Sequence, residues 1–261
     1  MLTRKWGGDR IGPPGAAGCF VSIAIPAYRE SEHIEGTISG IISELRRSGL
    51  GFEVIVVLDS VPGDPTGPIV RRLCEGFEEL RLIERPGRRG VGDAIRTAIM
   101  AAEGDIFVPV MGDRSEDASD IVALIRAIAD GRDMAVGERF RSGRPPGYPG
   151  MKYIANRLCN RLIKLLFRLP YSDATNAFKA YRLELLRQLD LSSKGFEIFA
   201  EIPIKFALRW PSARIARIPV QHFVRGKREA KLSLLRDGPR YIKMVLSLFL
   251  RYKIRRAFER P

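Results

Sequence analysis

Between Val108 and Ile121 the chain reads V-P-V-M-G-D-R-S-E-D-A-S-D-I, an apolar run that gives way abruptly to acids. Asp113, Glu116 and Asp117 fall close together, and hard divalent cations such as Mg2+ or Mn2+ take carboxylate oxygens as ligands. If Ile106 to Met111 is a buried strand, its carboxyl end delivers these acids to the crevice where open α/β sheets bind ligands. The competing reading is that they only cap and charge the first turn of a helix from Asp117 to Asp130. Both readings require the same strand and helix, so the surrounding elements must decide.

Those elements alternate. A short apolar strand, Cys19 to Ile25, precedes Pro26-Ala27-Tyr28-Arg29-Glu30 and a helix with Ile34, Ile38, Ile41, Ile42 and Leu45 at helical spacing. Phe52 to Leu58 forms a second strand that ends on Asp59, and Asp64 before Pro65 caps a helix running to about Gly76. Leu80 to Ile83 is a third strand, and Gly87 to Ala94 opens the next helix. A fifth strand is expected at Met134 to Gly137. Strands alternating with helices specify a mostly parallel sheet covered on both faces.

After Gly150 the pattern changes. Met151 to Leu169 is a helix with Ile154, Leu158, Leu162, Leu165 and Leu166 on one side, and Arg157, Arg161, Lys164 and Arg168 form a basic stripe beside them. That stripe is read either as a solvated face or as the flank of an interfacial helix. A helix around Glu197 to Arg209 and a strand near Ala213 to Val220 follow. The chain closes on a helix, Pro239 to Phe258, whose apolar stretch Met244 to Leu250 lies between basic clusters. This stretch is too short to span a bilayer, so it packs on its own domain, on a partner or on a membrane surface.

Composition narrows the classes. The chain has 261 residues, 45% hydrophobic and 28% charged, as in a globular protein. Its net charge of +14 is concentrated at the end, where residues 205–261 hold 16 Lys and Arg against 3 acids. Such a region points to a polyanion, whether phosphate substrate, anionic membrane or nucleic acid. Cys19, Cys74 and Cys159 form no C-x-x-C pair, which argues against a disulfide framework or a structural zinc and fits a reducing compartment. Residues 1–17, rich in Gly and Pro, read as a flexible leader and not as a signal peptide. The glycines at 87, 90 and 92 are out of order for a dinucleotide fingerprint, and His33 and His222 read as surface or packing residues.

In order and at plausible spacing, the segments beginning at Pro26, Asp59, Arg89, Asp113, Gly137, Asp173 and Arg225 resemble family 2 of the glycosyltransferases. The likeness covers about Val21 to Leu232 and is strongest to the dolichol-phosphate mannosyltransferase-like branch, which has the GT-A fold. It implies an α/β, Rossmann-like domain over residues 18–222 with a mostly parallel central sheet. Residues 223–261 would then hold a basic acceptor loop and an amphipathic, membrane-associating C-terminal helix.

The resemblance also implies roles. Pro26, Tyr28, Glu30 and Asp59, with the Gly90 and Gly92 segment, would serve the nucleotide. Asp113, with Glu116 or Asp117, would hold Mg2+ or Mn2+ on the donor diphosphate, and Arg139, Arg225 and Lys231 would lie near the phosphates of donor and acceptor. Where many relatives carry Asp-x-Asp, the triplet here is Met111-Gly112-Asp113 or Asp113-Arg114-Ser115, so one carboxylate is missing unless Glu116 or Asp117 replaces it. The implied activity is inverting transfer of a hexose from a nucleotide-diphosphate sugar to a polyprenyl phosphate. The implied place is the cytoplasmic face of a membrane, bound peripherally, with no nucleic acid and with a membrane-protein partner or a second copy left open. The rival readings are another glycolipid or polysaccharide acceptor, and a degenerate, non-catalytic module that binds membranes or nucleic acid.

Overall fold

The computed structural model describes residues 18–87, 89–223 and 234–258, the last segment by backbone alone at 234–236 and 253–258. Strand β1 (Phe20–Ala27), helix α1 (Ile34–Arg47), β2 (Gly51–Ser60), α2 (Thr66–Gly76), β3 (Leu80–Pro86), α3 (Val91–Ala101), β4 (Ile106–Pro109), α4 (Ala118–Ala129) and β5 (Met134–Glu138) follow one another in the expected alternation. They are succeeded by α5 (Gly150–Phe167), β6 (Lys179–Arg182), α6 (Leu183–Arg187), α7 (Ile198–Arg209), β7 (Ile215–Pro219) and α8 (Leu234–Phe258).

The seven strands form one sheet in the order β3-β2-β1-β4-β6-β5-β7. All neighbours are parallel except β6, which runs antiparallel to both β4 and β5. Strands buried on both faces need apolar side chains in either direction, and β1, β2 and β4 supply continuous runs of Val, Ile, Leu and Phe. One core layer lies under α1, α2 and α4, with Ile34, Ile38, Ile41, Ile42 and Leu45 of α1 buried as their spacing predicts. The other lies under α3, α6 and α7 and includes Val245 and Leu248 of α8. From β1 the chain returns to β2 on one flank and from β4 to β5 on the other, so the loops leaving β1 and β4 part at the switch point where open α/β sheets bind ligands.

Four expectations are corrected. Pro26 is the penultimate residue of β1, opposite Val57, and not part of the loop that follows. On β1, β4 pairs only with Val21 to Ala24, so Pro26, which has no N–H, lies where that ladder has already stopped. β4 itself ends at Pro109, two residues short of Met111, although the Val110 N–H still donates to Ala24 O at 2.9 Å.

The third correction concerns α5, which buries Asn160, Ile163 and Phe167. Ile154, Leu158, Leu162 and Leu165, expected on its apolar side, are exposed, as is Met151. The fourth is that the C-terminal helix begins at Leu234, ahead of Pro239, and is docked on the domain. Phe249 and Tyr252 ring-pack against Phe167 of α5, and the Tyr241 hydroxyl donates to Phe196 O at 2.7 Å. No helix among the described residues is long and apolar enough to cross a membrane.

Candidate active site

The loop after β1 and the loop after β4 face each other across the crevice. Thr37 on α1 donates to Gly112 O at 3.0 Å, and a side chain at 112 would meet Glu30 Cγ at 3.2 Å. Each loop holds one non-glycine residue in the left-handed region, Arg29 (φ 53°) and Arg114 (φ 57°). Backbone strain of this kind persists only where surrounding contacts over-determine it. For the first loop those contacts are Arg29 N donating to Asp64 Oδ2 at 3.0 Å and Glu30 N donating to Thr66 Oγ1 at 2.9 Å. Asp64 also accepts from Thr66 N, although Pro65, and not Asp64 as expected, is the N-cap of α2. Tyr28 is half-buried and Glu30 buried in that loop.

The acid cluster divides by role. Among the described residues Asp113 Oδ1 accepts only a turn hydrogen bond, from Ser115 N at 3.1 Å. Glu116 Oε2 accepts from Met111 N at 2.9 Å, and burial together with the nearby charge of Asp113 pushes its carboxyl up to about 8. Asp117 caps α4, accepting from Ser119 N at 2.9 Å and from its hydroxyl at 2.7 Å. The capping reading therefore describes Asp117, and Glu116 is committed to its own turn.

Arg139, at the end of β5, is held rigidly. Asp173 accepts from its backbone N at 3.1 Å, from Nε at 2.9 Å and from Nη2 at 2.9 Å, a planar two-point grip that lysine could not reproduce. Thr175 Oγ1 accepts from the same Nη2 at 3.2 Å, while Asn160 of α5 holds Thr175 through both its amide groups. Nη1 enters none of these bonds. Burial disfavours an isolated charge here, but the two opposite charges hold Asp173 below its ordinary range and Arg139 above its own. Next door, Glu138 accepts from Arg217 of β7 at 2.9 and 3.0 Å and from Ser172 N at 2.9 Å, which pins the Tyr171 to Phe178 loop to the end of β5.

Three site residues, Lys179, His222 and Lys152, escaped the sequence reading. Lys179 is 0% exposed, its ammonium donating to the carbonyls of Ala174 (3.1 Å) and Asn176, and burial lowers it to about 7 despite the support of Asp173. His222 forms an isolated backbone β-bridge with Glu116 and packs its ring, tilted by 60°, against Tyr148 at 5.6 Å between centroids. Its Nδ1 is buried without a hydrogen-bond partner, and burial followed by the charge of Arg139 lowers the imidazole to about 4, so it is neutral. Lys152, in the first turn of α5, feels both Arg139 and Asp113. No periodicity marks a lysine as buried or a histidine as part of a site. The one available signal was that Lys179 and Asp173 sit in the same family-like segment.

The remaining predicted residues are placed apart. Asp59 ends β2 in a buried pair with Arg85 of β3 and accepts from the N–H groups of Arg89 (2.9 Å) and Gly90 (2.8 Å). It thus shapes the turn into α3. A Cβ on Gly92 would lie 2.1 Å from Ser193 O and one on Gly90 2.5 Å from Lys194 O, so close approach of the 193–194 backbone accounts for both glycines. Arg225 and Lys231 lie outside the described residues.

Among the described residues no group of three or more His, Cys, Asp or Glu could hold a metal ion alone. Asp113 and the partnerless nitrogen of His222, which lies within electrostatic reach of Asp113, instead fit a divalent cation shared with phosphate oxygens. Such cations take one or two protein ligands and leave the rest of the shell to substrate and water.

The family model "Glycosyl transferase family 2" matches residues 22–190. The dolichol-phosphate mannosyltransferase of Pyrococcus furiosus is 29% identical over 216 residues, covering 81% of this chain and 59% of that protein. Glycosyltransferase AglD of Haloferax volcanii is 29% identical over 225 residues, covering 85% and 36%. The chain thus spans less than two thirds of either relative. Glucosyl-3-phosphoglycerate synthase from Mycobacterium tuberculosis, solved with Mn2+, UDP and phosphoglyceric acid, superposes with a TM-score of 0.68 at 22% identity, covering 90% of this chain and 80% of that one. At that identity the likeness is one of fold.

Proposed function

The chain belongs to glycosyl transferase family 2, and from that premise we propose that it moves a hexose, with inversion, from a nucleotide-diphosphate sugar to a polyprenyl phosphate. The observation that carries this reading is a guanidinium, Arg139, locked by Asp173 with Nη1 in no hydrogen bond among the described residues, in the same electrostatic neighbourhood as Asp113. The dolichol-phosphate mannosyltransferase among the relatives supports the acceptor class, and the UDP and Mn2+ of the structural relative support the donor class and a cation.

The chemistry follows from charge. A nucleoside diphosphate leaving group develops negative charge, and preorganised cations in a water-poor crevice stabilise it. Arg139 and Lys152 supply fixed positive charge on the side of α5. Asp113 with His222 would hold Mg2+ or Mn2+, which when bound neutralises the diphosphate oxygens. Glu116 and Asp117 are left out of that set because one ties down Met111 and the other caps α4. Tyr28 and Glu30 form the wall at the nucleotide end, and Asp59 with Gly90 and Gly92 shapes its floor. The acceptor phosphate is already largely ionised near neutral pH, its second pKa being about 6, so the protein needs no strong general base there. Arg225 and Lys231 are proposed to offset the repulsion between the two phosphates.

Asp113→Asn tests the site. It removes one charge from a half-buried turn, so the fold should persist while turnover falls by orders of magnitude. Wild-type turnover in the variant with Mn2+ in excess would remove Asp113 from the mechanism.

A further inference from the structure

The segment that leaves β7 runs back along the acid turn. Phe223 N donates to Ser115 O at 2.8 Å, His222 makes its backbone bridge with Glu116, and Gln221 N donates to Asp120 Oδ2 at 2.7 Å. Ser115 and Glu116 belong to the turn, whereas Asp120 lies in the first turn of α4. His222 is therefore anchored on both sides, by the turn at one end and by a helix side chain at the other. Its ring rests on Tyr148, whose hydroxyl accepts from Asn156 Nδ2 of α5 at 2.9 Å.

These anchors answer a need. With methionine at 111 and glycine at 112, Asp113 is the one carboxylate of the turn that neither caps α4 nor ties down Met111. The second group able to meet a cation, His222 Nδ1, comes from a segment far away in sequence. Gln221 is exposed and His222 and Phe223 are only half-buried, so hydrogen bonds more than packing set their position. Of the three backbone anchors only that to Asp120 comes from a side chain, and a carboxylate accepting from an N–H is the stronger, charge-assisted kind. Asp120 also complements the positive end of α4. That role alone would affect stability and leave a cation untouched.

We propose that Asp120 is a positioning residue for the divalent cation: by holding Gln221 N it sets the backbone that presents His222 Nδ1 to a cation shared with Asp113. This inference rests on the reading that Asp113 and His222 hold the cation. Groups that orient a metal-bound histidine from outside are worth about 10–100-fold in metal affinity.

The test is Mn2+ binding to the full chain, with and without UDP, followed by electron paramagnetic resonance, with nitrogen modulation of the spin echo reporting a histidine ligand. Wild type should bind Mn2+ with that modulation, and His222→Ala should lose it. Asp120→Ala should weaken Mn2+ binding about tenfold and diminish the modulation. Asp120→Asn, which keeps an acceptor oxygen, should restore most of both. In the His222→Ala background Asp120→Ala should add no further loss, because its effect passes through the histidine. The metal-free protein should melt close to wild type, since water can replace the lost acceptor at exposed Gln221. Asp120→Ser supplies a second short side chain should alanine destabilise α4. Full Mn2+ affinity in Asp120→Ala and Asp120→Ser, or a loss that adds to that of His222→Ala, overturns the proposal and leaves Asp120 a helix-stabilising acid. Mn2+ binding that lacks nitrogen modulation in wild type, or that His222→Ala leaves unchanged, overturns it together with the cation reading beneath it.

Discussion

Asp173→Asn probes the buried charge arrangement on which the site depends. In the folded protein Asp173 is the shared partner of two buried cations, the Arg139 guanidinium at 2.9 Å and the neighbouring Lys179 ammonium. The side chains of Asp173 and Arg139 are 2% and 11% exposed, so water cannot replace what the carboxylate supplies. Removing one member of such a pair costs about 3–5 kcal/mol, and asparagine, which keeps one acceptor, should fall near 3. At about 2–4 °C per kcal/mol for a chain of roughly this size, the melting temperature drops by about 6–12 °C.

The pH dependence gives a sharper signature. Asp173 has a depressed folded pKa, so its contribution is present above its unfolded value of about 3.9 and is lost only as pH falls through the folded one. Measurements above about pH 5 hold this part constant. Lys179 has a folded pKa of about 7, below its unfolded value. Between the two values the unfolded chain carries the extra proton, so stability rises with pH across that window. Without Asp173 the ammonium loses its support and its folded pKa falls further, so the variant enters the window at lower pH than wild type. The deficit should therefore be largest near about pH 5.5 and smaller by about pH 8. Urea unfolding at both values provides the measurement. A deficit under about 1 kcal/mol at both, or one that widens as pH rises, would refute the buried-triad account.

Other substitutions separate packing from chemistry. Gly92→Ala should cost about 1–3 kcal/mol, read as a lowered melting temperature, because its Cβ meets Ser193 O at 2.1 Å and the backbone must shift. A fully stable variant would reopen a ligand-contact role for that glycine. Arg225→Lys, in the basic segment, should impair transfer to lipid phosphate while leaving nucleotide affinity at its wild-type value, since lysine lacks the planar fork. Equal loss of nucleotide binding would move Arg225 to the donor side.

The alternation of strand and helix up to β5 was legible because continuous Val, Ile and Leu runs suit only strands buried on both faces, and because α1 spaces its isoleucines for one buried stripe. The antiparallel β6 was not legible. Four residues, Lys179 to Arg182, carry no periodicity, and their strand state comes from insertion between β4 and β5. For α5 the sequence reading named one apolar row and missed the side that packs inward, for a physical reason. The helix has apolar side chains on two sides, and only contact with α8 and the Asp173 loop decides that Ile163 and Phe167 go inward. Within the candidate site, Asp113 and Arg139 were named from their segments, whereas Lys179 and His222 depend on long-range burial that spacing does not encode. Asp117 obeyed its local rule as a cap, and the local reading outweighed the metal one there.

The most direct test of the account is product formation. Purified protein would be supplied with Mn2+, polyprenyl phosphate in anionic vesicles and a panel of radiolabelled nucleotide-diphosphate hexoses, and the lipid phase analysed for a hexosyl phospholipid. The account predicts that a nucleotide sugar of the panel yields a lipid-linked hexose of inverted anomeric configuration, and that Asp113→Asn abolishes it. Binding of nucleotide sugar followed only by hydrolysis, or transfer that proceeds undiminished in Asp113→Asn, would contradict it.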